Sequence, residues 1–221
     1  MKAMILAAGR GERMRPLTDT TPKSLLEVRG KALIAWHIEA LARAGFREIV
    51  VNHAHLGRKL ESALGDGDRF GVAIRYSREA EALETAGGIA HALPLLGGEP
   101  FVAVNADTFC DFDFSRLASR ALGRNLAHLV LVENPPHHPG GDFSLIGDTV
   151  GVGGEPRWTF AGIGLYRPEL FRDIIPGSKA QLAPLLRAAM MQRKVSGELH
   201  RGNWHDVGTP ARLDALNRPD A

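Results

Sequence analysis

Cysteine is nearly absent from this chain of 221 residues, in which Cys110 is the only one. A lone cysteine excludes an internal disulfide framework and favours a reducing compartment. The net charge is only +2, and no Lys/Arg block or basic-aromatic stripe is present, so nothing indicates a nucleic-acid partner. No apolar run reaches membrane length, and the short one at the amino terminus meets charge at Arg10. We therefore expect a soluble cytoplasmic protein with no membrane partner.

The hydrophobic pattern alternates between strand-like and helix-like segments along the whole chain. This alternation predicts an α/β fold, with a Rossmann-like, mostly parallel sheet and flanking helices, in a single domain over residues 1–221. The predicted strands are residues 4–8, 48–52, 72–76, 101–105, 126–132, 143–146 and 159–166. The predicted helices are residues 33–44, 56–64, 86–96, 115–123, 168–174, 182–193 and 210–217, with Thr85 and Thr209 as N-caps of the third and last.

A glycine-containing loop follows the first predicted strand and is the most informative segment. Gly9 and Gly11 allow the backbone to approach a ligand that a side chain would block. The same loop carries four cations, which are Arg10, Arg13, Arg15 and Lys23. Because ligands of open α/β sheets bind at the carboxyl ends of the strands, these cations predict a site for a polyanion such as triphosphate.

Two better-known phosphate motifs do not match this loop. A dinucleotide fingerprint requires glycine or alanine three residues after Gly11, where Met14 stands, and Pro16 and Pro22 prevent one continuous helix. A P-loop requires Gly-Lys-Ser/Thr directly before a helix, whereas Lys23 follows a proline. The loop is therefore neither of these motifs.

Two aspartates occupy positions suited to a magnesium ion. Asp107 lies at the carboxyl end of a predicted buried strand, in the segment Asn105-Ala-Asp107, and Asp206 ends a further short predicted strand. Mg²⁺ favours one or two carboxylates together with phosphate oxygens, so both aspartates are candidate ligands of one ion. Each also has a simpler interpretation, because Asp107 lies where a turn or helix cap would place it and Asp206 lies at the entry to the last helix.

A third candidate region lies where residues 84–88 open a helix with small side chains. Its backbone N–H groups could meet a nucleobase or ribose, and Glu79 could accept a hydrogen bond from a base edge. The alternative is close packing of this helix against the sheet.

Together these segments resemble the sugar-phosphate nucleotidyltransferase family. The resemblance covers nearly the whole chain, with motifs in the family's order: Leu6-Ala-Ala-Gly-Arg-Gly-Glu-Arg-Met-Arg-Pro16, Pro22-Lys-Ser-Leu25, Glu84-Thr-Ala-Gly-Gly88, Asn105-Ala-Asp107, Phe160-Ala-Gly162 and Trp204-His-Asp-Val-Gly-Thr-Pro210. It implies a fold like that of glycosyltransferases of the A type. It also implies Mg²⁺-dependent condensation of a nucleoside triphosphate with a sugar 1-phosphate to give a nucleotide sugar and pyrophosphate.

The resemblance also implies roles for matching residues. Arg15 would contact the triphosphate, Lys23 would hold the α-phosphate or the sugar phosphate, and Asp107 and Asp206 would bind Mg²⁺. The nucleoside pocket would be lined by Ala7, Gly9, Gly11, Glu79, Gly87 and Asn105. The residues on the sugar side would be Ala161, Gly162, Asp142, Arg29 and Arg201. Arg201 is a candidate because the family's Glu-Lys-Pro segment is missing, and residues 153–157 contain no lysine.

Among possible substrates the resemblance favours UTP and N-acetylmuramic acid 1-phosphate, in recycling of cell-wall sugars. Mannose 1-phosphate with GTP, and glucose 1-phosphate with TTP or UTP, are the alternatives within the family, since a carboxylate at position 79 suits more than one base. A nucleotide-sugar-binding protein without activity is the alternative outside it. We expect a monomer or a small homo-oligomer.

Overall fold

Thirteen strands form within residues 1–218, the part of the chain that this computed structural model describes. They are β1 (Ala3–Leu6), β2 (Glu27–Val28), β3 (Lys31–Ala32), β4 (Glu48–His53), β5 (Ala73–Arg78), β6 (Phe101–Asn105), β7 (Thr108–Cys110), β8 (Ala127–Val132), β9 (Phe143–Ile146), β10 (Thr149–Gly151), β11 (Arg157–Tyr166), β12 (Val195–His200) and β13 (Trp204–Asp206).

Seven α-helices connect and flank these strands in the same part of the chain. They are α1 (Leu17–Thr20), α2 (Leu33–Arg43), α3 (Gly57–Leu64), α4 (Glu84–Leu96), α5 (Ser115–Ala118), α6 (Leu182–Met191) and α7 (Pro210–Leu216). Within residues 1–218, no helix has both the length and the apolar character needed to cross a membrane.

Nine strands form one mixed sheet in the order β5-β4-β1-β6-β11-β8-β12-β10-β9. The pairs β4–β5, β1–β4, β1–β6 and β8–β12 are parallel, and β11 runs antiparallel to both β6 and β8. The predicted α/β fold with flanking helices is confirmed, and its parallel character is concentrated around β1. A separate two-stranded ribbon pairs β13 with β7.

Alternate residues of β1 supply the two faces of the sheet. Ala3 and Ile5 pack with α2 and α3 on one face, and Met4 packs with α4 and α6 on the other. Because both faces of a central strand are covered, β1 has the continuous apolar sequence expected of buried parallel strands. The helices thus cover both faces of the sheet and leave the carboxyl ends of the strands near β1 open.

Several predicted boundaries are wrong. Helix α4 begins at Glu84, and Thr85 is not its N-cap, because Ala86 and Gly87 donate their N–H groups to the Ala180 carbonyl. The helix predicted at residues 115–123 ends at Ala118, and the one at residues 168–174 is a 3₁₀ turn at Pro168–Phe171. At α7 the prediction holds, since the Thr209 hydroxyl accepts the Arg212 N–H.

Candidate active site

A cavity of about 310 Å³ opens at the carboxyl ends of β1, β4 and β6. Because these strands are parallel, their ends meet at one edge of the sheet, where open α/β sheets bind ligands. The lining includes four residues predicted for the site, which are Ala7, Gly9, Asn105 and Asp107, together with the predicted cation Lys23. The structure therefore brings the glycine loop and Asp107 together, as the sequence predicts.

The two loop glycines have different functions. Gly9 lines the cavity, and a Cβ atom added there would have no neighbour within 4 Å. Gly11 has a φ of 67°, and its added Cβ would lie 3.0 Å from the Thr18 side chain and 3.1 Å from the Lys23 Cβ. The Thr18 hydroxyl also donates to the Gly11 carbonyl at 2.8 Å. Gly11 thus shapes the loop around Lys23 and does not itself line the cavity.

Lys23 is the loop cation that reaches the cavity. Its Nζ lies 2.6 Å from Asp107 Oδ2, and only 10% of its side chain is exposed. The neighbouring Ser24 hydroxyl is buried, lines the same cavity and has no hydrogen-bond partner within the described chain. A buried polar group without a partner is costly, so the Ser24 hydroxyl is available to donate to a phosphate oxygen.

The two candidate metal ligands lie on one ribbon. Thr108, the residue after Asp107, pairs with Asp206 across β7 and β13, and the Val207 N–H donates to the Asp107 carbonyl at 2.9 Å. Both aspartates line a second cavity of about 300 Å³, which shares Asn105 and Asp107 with the first. Two segments that lie far apart in sequence therefore present carboxylates to the same space.

This pair of carboxylates fits Mg²⁺. Within residues 1–218 no cluster of three or more His, Cys, Asp or Glu side chains could hold a metal ion. Mg²⁺ needs no such cluster, because it binds through one or two carboxylates and completes its shell with phosphate oxygens and water. Asp206 is meanwhile held by Arg212, whose Nη1 lies 2.6 Å from Asp206 Oδ2. No motif in the sequence marks Arg212 as part of the site.

His37 on α2 supports the Asp107 segment from behind. Its Nε2 lies 2.7 Å from the Thr108 carbonyl oxygen, which can only accept, so Nε2 carries the proton and donates it. Burial lowers the pKa of His37 from 6.5 to about 4, and the ring is therefore neutral at pH 7. A neutral imidazole thus ties α2 to the first residue of β7.

The second cavity also contains the predicted sugar-side residues Ala161, Gly162 and Asp142. Gly162 has a φ of 73°, at an irregularity of β11, and an added Cβ would lie 2.6 Å from Asn105 Nδ2. The Asp142 carboxylate accepts the Phe160 N–H at 2.8 Å and lies 3.1 Å from His138 Nε2. These contacts fix the sugar-side residues around Asn105.

A third cavity, of about 270 Å³, adjoins the first two through Asn105 and contains an arginine that the sequence analysis missed. Arg187 of α6 lines this cavity together with Asp142 and Phe160. Its guanidinium has no hydrogen-bond or ion-pair partner among the described residues. No motif surrounds Arg187, so only the packing of α6 against β12 and β10 reveals its position.

Besides Gly11, the structure corrects two more of the predicted nucleoside contacts. Glu79 is buried outside the first cavity, where its carboxylate accepts from Asn52 Nδ2 at 2.7 Å and from the Leu83 N–H at 2.9 Å. Asn52 in turn accepts the Ala7 N–H at 2.8 Å and lines the cavity. Gly87 packs against the backbone at Ser178. A Cβ atom added to Gly87 would lie 2.3 Å from the Ser178 carbonyl oxygen. Close packing is therefore the correct interpretation of Gly87.

Five predicted cations lie outside the lining of the first cavity, namely Arg10, Arg13, Arg15, Arg29 and Arg201. Arg10 and Arg13 are exposed. Arg15 is exposed and pairs with Asp19 at 3.2 Å, and Arg201 pairs with Glu133 at 3.3 Å on the surface. Arg29 lines a wider groove of about 950 Å³ that meets the second cavity at Asp206 and Trp204. The exposed turns that carry Arg15 and Arg201 direct both guanidinium groups to surface carboxylates.

Comparison with known proteins agrees with this geometry. A family model described as nucleotidyl transferase matches residues 2–148. The chain is 61% identical to N-acetylmuramate alpha-1-phosphate uridylyltransferase of Neisseria meningitidis, over 96% of this chain and 95% of that protein. It is 34% identical to the protein of the same name from Caulobacter vibrioides, over 98% and 96%. A solved structure from Bacillus anthracis, assigned provisionally as a glucose-1-phosphate thymidylyltransferase, shares the fold, with a TM-score of 0.87 over 98% and 94% of the chains at 22% identity.

Proposed function

We propose that this chain, which belongs to the nucleotidyl transferase family, transfers a uridylyl group from UTP to a sugar 1-phosphate in the cytoplasm. The favoured sugar is N-acetylmuramic acid, as in the name of the relative that is 61% identical. The observation that carries the proposal is the meeting of the glycine loop, Lys23 and Asp107 at one cavity. This arrangement suits a triphosphate, which the loop backbone and the ammonium group can hold together.

The reaction joins two anions. An oxygen of the sugar 1-phosphate attacks the α-phosphorus of UTP, and the bond to the β-phosphate breaks to release pyrophosphate. The attacking oxygen is already ionised at neutral pH, so the protein supplies position and positive charge and needs no general base. Burial raises the pKa of Cys110 to about 11, which argues against this thiol as a nucleophile.

Lys23 and the two aspartates would have different electrostatic roles. When bound, Mg²⁺ would neutralise phosphate charge and align the reacting groups, with Asp107 and Asp206 as its ligands. Lys23 would then release Asp107 and turn its ammonium to the α-phosphate, while the Ser24 hydroxyl donates to the same triphosphate. Arg212 would hold Asp206 in place, since its Nη1 lies 2.6 Å from Asp206 Oδ2.

The acceptor fits the second and third cavities. Ala161, Gly162 and Asp142 line the second cavity, next to the carboxylates, so the sugar would lie there with its phosphate toward Asp107. Arg187 is the cation that lines the third cavity. We assign to Arg187 the role of binding the acceptor's negatively charged groups. Arg187 would thereby replace the lysine of the missing Glu-Lys-Pro segment.

Pyrophosphate release tests the proposal directly. UTP, TTP, GTP and CTP are each combined with the 1-phosphates of N-acetylmuramic acid, N-acetylglucosamine, glucose and mannose, with and without Mg²⁺. The expected result is Mg²⁺-dependent turnover that is fastest with UTP and N-acetylmuramic acid 1-phosphate. Faster turnover of mannose 1-phosphate with GTP would move the chain to a different member of the family, and no turnover of any pair would leave a binding protein.

Two substitutions test the site itself. Lys23→Ala and Asp107→Asn are expected to lower kcat by about 10²- to 10³-fold, because each removes a charge that acts in the transition state. The matched controls are Lys194→Ala and Asp173→Asn at exposed positions away from the cavities, and both should retain normal turnover. Circular dichroism and melting temperature report whether each variant folds. Normal turnover of a folded Lys23→Ala protein would refute this assignment.

A further inference from the structure

Glu84 has an unusual backbone conformation at the start of α4. Its φ is 62°, in the left-handed region, where a Cβ atom crowds the following carbonyl and glycine is favoured. Strained residues of this kind persist where the surrounding structure fixes them, and they concentrate at functional sites. The conformation of Glu84 therefore suggests that this residue has a functional role.

Hydrogen bonds on both sides hold Glu84 in this conformation. The preceding Leu83 donates its N–H to the buried Glu79 carboxylate at 2.9 Å and accepts the Ala180 N–H at 3.0 Å. The residues after Glu84, Ala86 and Gly87, both donate to the Ala180 carbonyl at 2.9 and 3.0 Å. The backbone around Glu84 is thus fixed by Glu79 and by the segment at Ala180.

Glu84 lies between the nucleotide side and the sugar side of the site. It is exposed, and it lines both the 310 Å³ cavity and the 270 Å³ cavity, as do Thr85 and Asn105. Its carboxylate has no hydrogen-bond or ion-pair partner among the described residues. A carboxylate is an acceptor only, so its ligand must offer hydroxyl or N–H donors, which ionised phosphate oxygens do not.

We propose that Glu84 is a specificity-determining residue that accepts hydrogen bonds from hydroxyl or amide groups of the acceptor sugar. This inference rests on the proposed function, which places the sugar beside Asn105 and Asp142. Lys23 and Asp107 line the first cavity and are absent from the lining of the third. Glu84 and Asp142 are the acidic residues that line the third cavity. Asp142 already accepts the Phe160 N–H and contacts His138, so Glu84 is the carboxylate left to accept hydrogen bonds from uncharged groups of the sugar.

Steady-state kinetics with Glu84→Gln test this assignment. The substitution keeps the length of the side chain and removes its charge, and a hydrogen bond to a charged group is stronger by about a factor of ten in binding. We expect the KM of the sugar 1-phosphate to rise about tenfold while the KM of UTP changes less than twofold. The control is Glu81→Gln, on the same loop as Glu84. This substitution removes an exposed ion pair between Glu81 and Lys179 and should change neither KM. A rise in the KM of UTP alone would overturn the assignment.

The strain provides a second readout. Glu84→Gly removes the Cβ atom, so it should raise the melting temperature by about 2–4 °C and raise the KM of the acceptor as Glu84→Gln does. A structural role alone predicts loss of stability and no selective effect on the acceptor. A lower melting temperature with an unchanged KM would refute the proposal.

Calorimetric titration separates this inference from the proposed function. UDP-N-acetylmuramic acid and UMP are titrated into the wild type and Glu84→Gln. We expect the substitution to weaken binding of the nucleotide sugar about tenfold and to leave UMP unaffected, whether or not the wild type turns over. Turnover by the wild type with equal binding by both proteins would overturn this inference alone. Neither turnover nor binding by the wild type would overturn both.

Discussion

Arg187 supplies a residue-scale prediction. It lines the cavity next to Asn105 and has no partner among the described residues, so it is free to bind an anionic group of the acceptor. Arg187→Ala should raise the KM of N-acetylmuramic acid 1-phosphate about tenfold, because a charge-assisted hydrogen bond is lost. Arg201→Ala should leave it unchanged, since Arg201 is paired with Glu133 on the surface. The opposite pattern in pyrophosphate-release kinetics would return the role to Arg201.

Single residues were predictable where a motif surrounds them. Lys23 and Asp107 follow a proline and a buried strand, and those positions fix where their side chains point. Arg187 and Arg212 lie on the amphipathic helices α6 and α7, where the sequence resembles that of any solvent-facing turn. Their positions depend on how α6 and α7 pack against distant segments, so their roles required the structure.

The contact between α2 and β7 supplies a prediction at the scale of elements. Because burial lowers the pKa of His37 from 6.5 to about 4, the unfolded chain binds the additional proton between these values. The stabilising contribution is therefore complete above about pH 6.5 and declines as the pH falls toward 4. Between pH 7 and pH 5 this residue should lower the free energy of unfolding by about 2 kcal/mol.

Urea denaturation of the wild type and of His37→Gln at both pH values checks this effect. Glutamine can still donate to the Thr108 carbonyl but does not titrate near pH 6, so the variant should lose less stability on acidification. The difference between the two proteins isolates the effect of His37 from that of the other histidines. Identical pH dependence of both proteins would show that the His37 ring is not held neutral.

The bounds of strands and helices were predicted best where the apolar pattern of the sequence is strongest. Strand β6 was predicted to the residue, and β1 and β4 to within two residues, because the buried centre of a sheet gives continuous apolar runs. Strand β12 was missed, since its second half is polar and only half-buried. The three-residue β7 and β10 are too short to show a pattern, although β7 positions Asp107.

Ligand binding supplies a prediction for the whole molecule. The proposed UTP site joins the ends of β1, β4 and β6 to the loop that carries Lys23, so nucleotide should stabilise the folded state. At about 100 times its Kd, a ligand adds roughly 2.7 kcal/mol, which corresponds to about 5–10 °C in melting temperature for a chain of this size. Thermal unfolding with UTP and Mg²⁺ measures the shift, and a chelator or Asp107→Asn should reduce it. An equal shift under all three conditions would exclude Asp107 as a magnesium ligand.

The order of the strands in the sheet could not be predicted from the sequence. Alternation of strands and helices predicts parallel crossovers, and around β1 this holds. The antiparallel insertion of β11 between β6 and β8 depends on contacts between residues about 60 positions apart, such as Ile163 with Val104. No local pattern records such a pairing, which nevertheless carries Ala161 and Gly162 to the site.

The ribbon of β7 and β13 has a consequence for how the catalytic edge tolerates change. The spacing of the two acidic side chains is set by a short ladder and by the bond from the Val207 N–H to the Asp107 carbonyl. Residues 138–157 are not part of that ladder, although the preceding His137 places its Nε2 3.5 Å from Asp206 Oδ2. Insertions or deletions within residues 138–157 can therefore remodel the sugar-facing wall while the ladder continues to space the two acids.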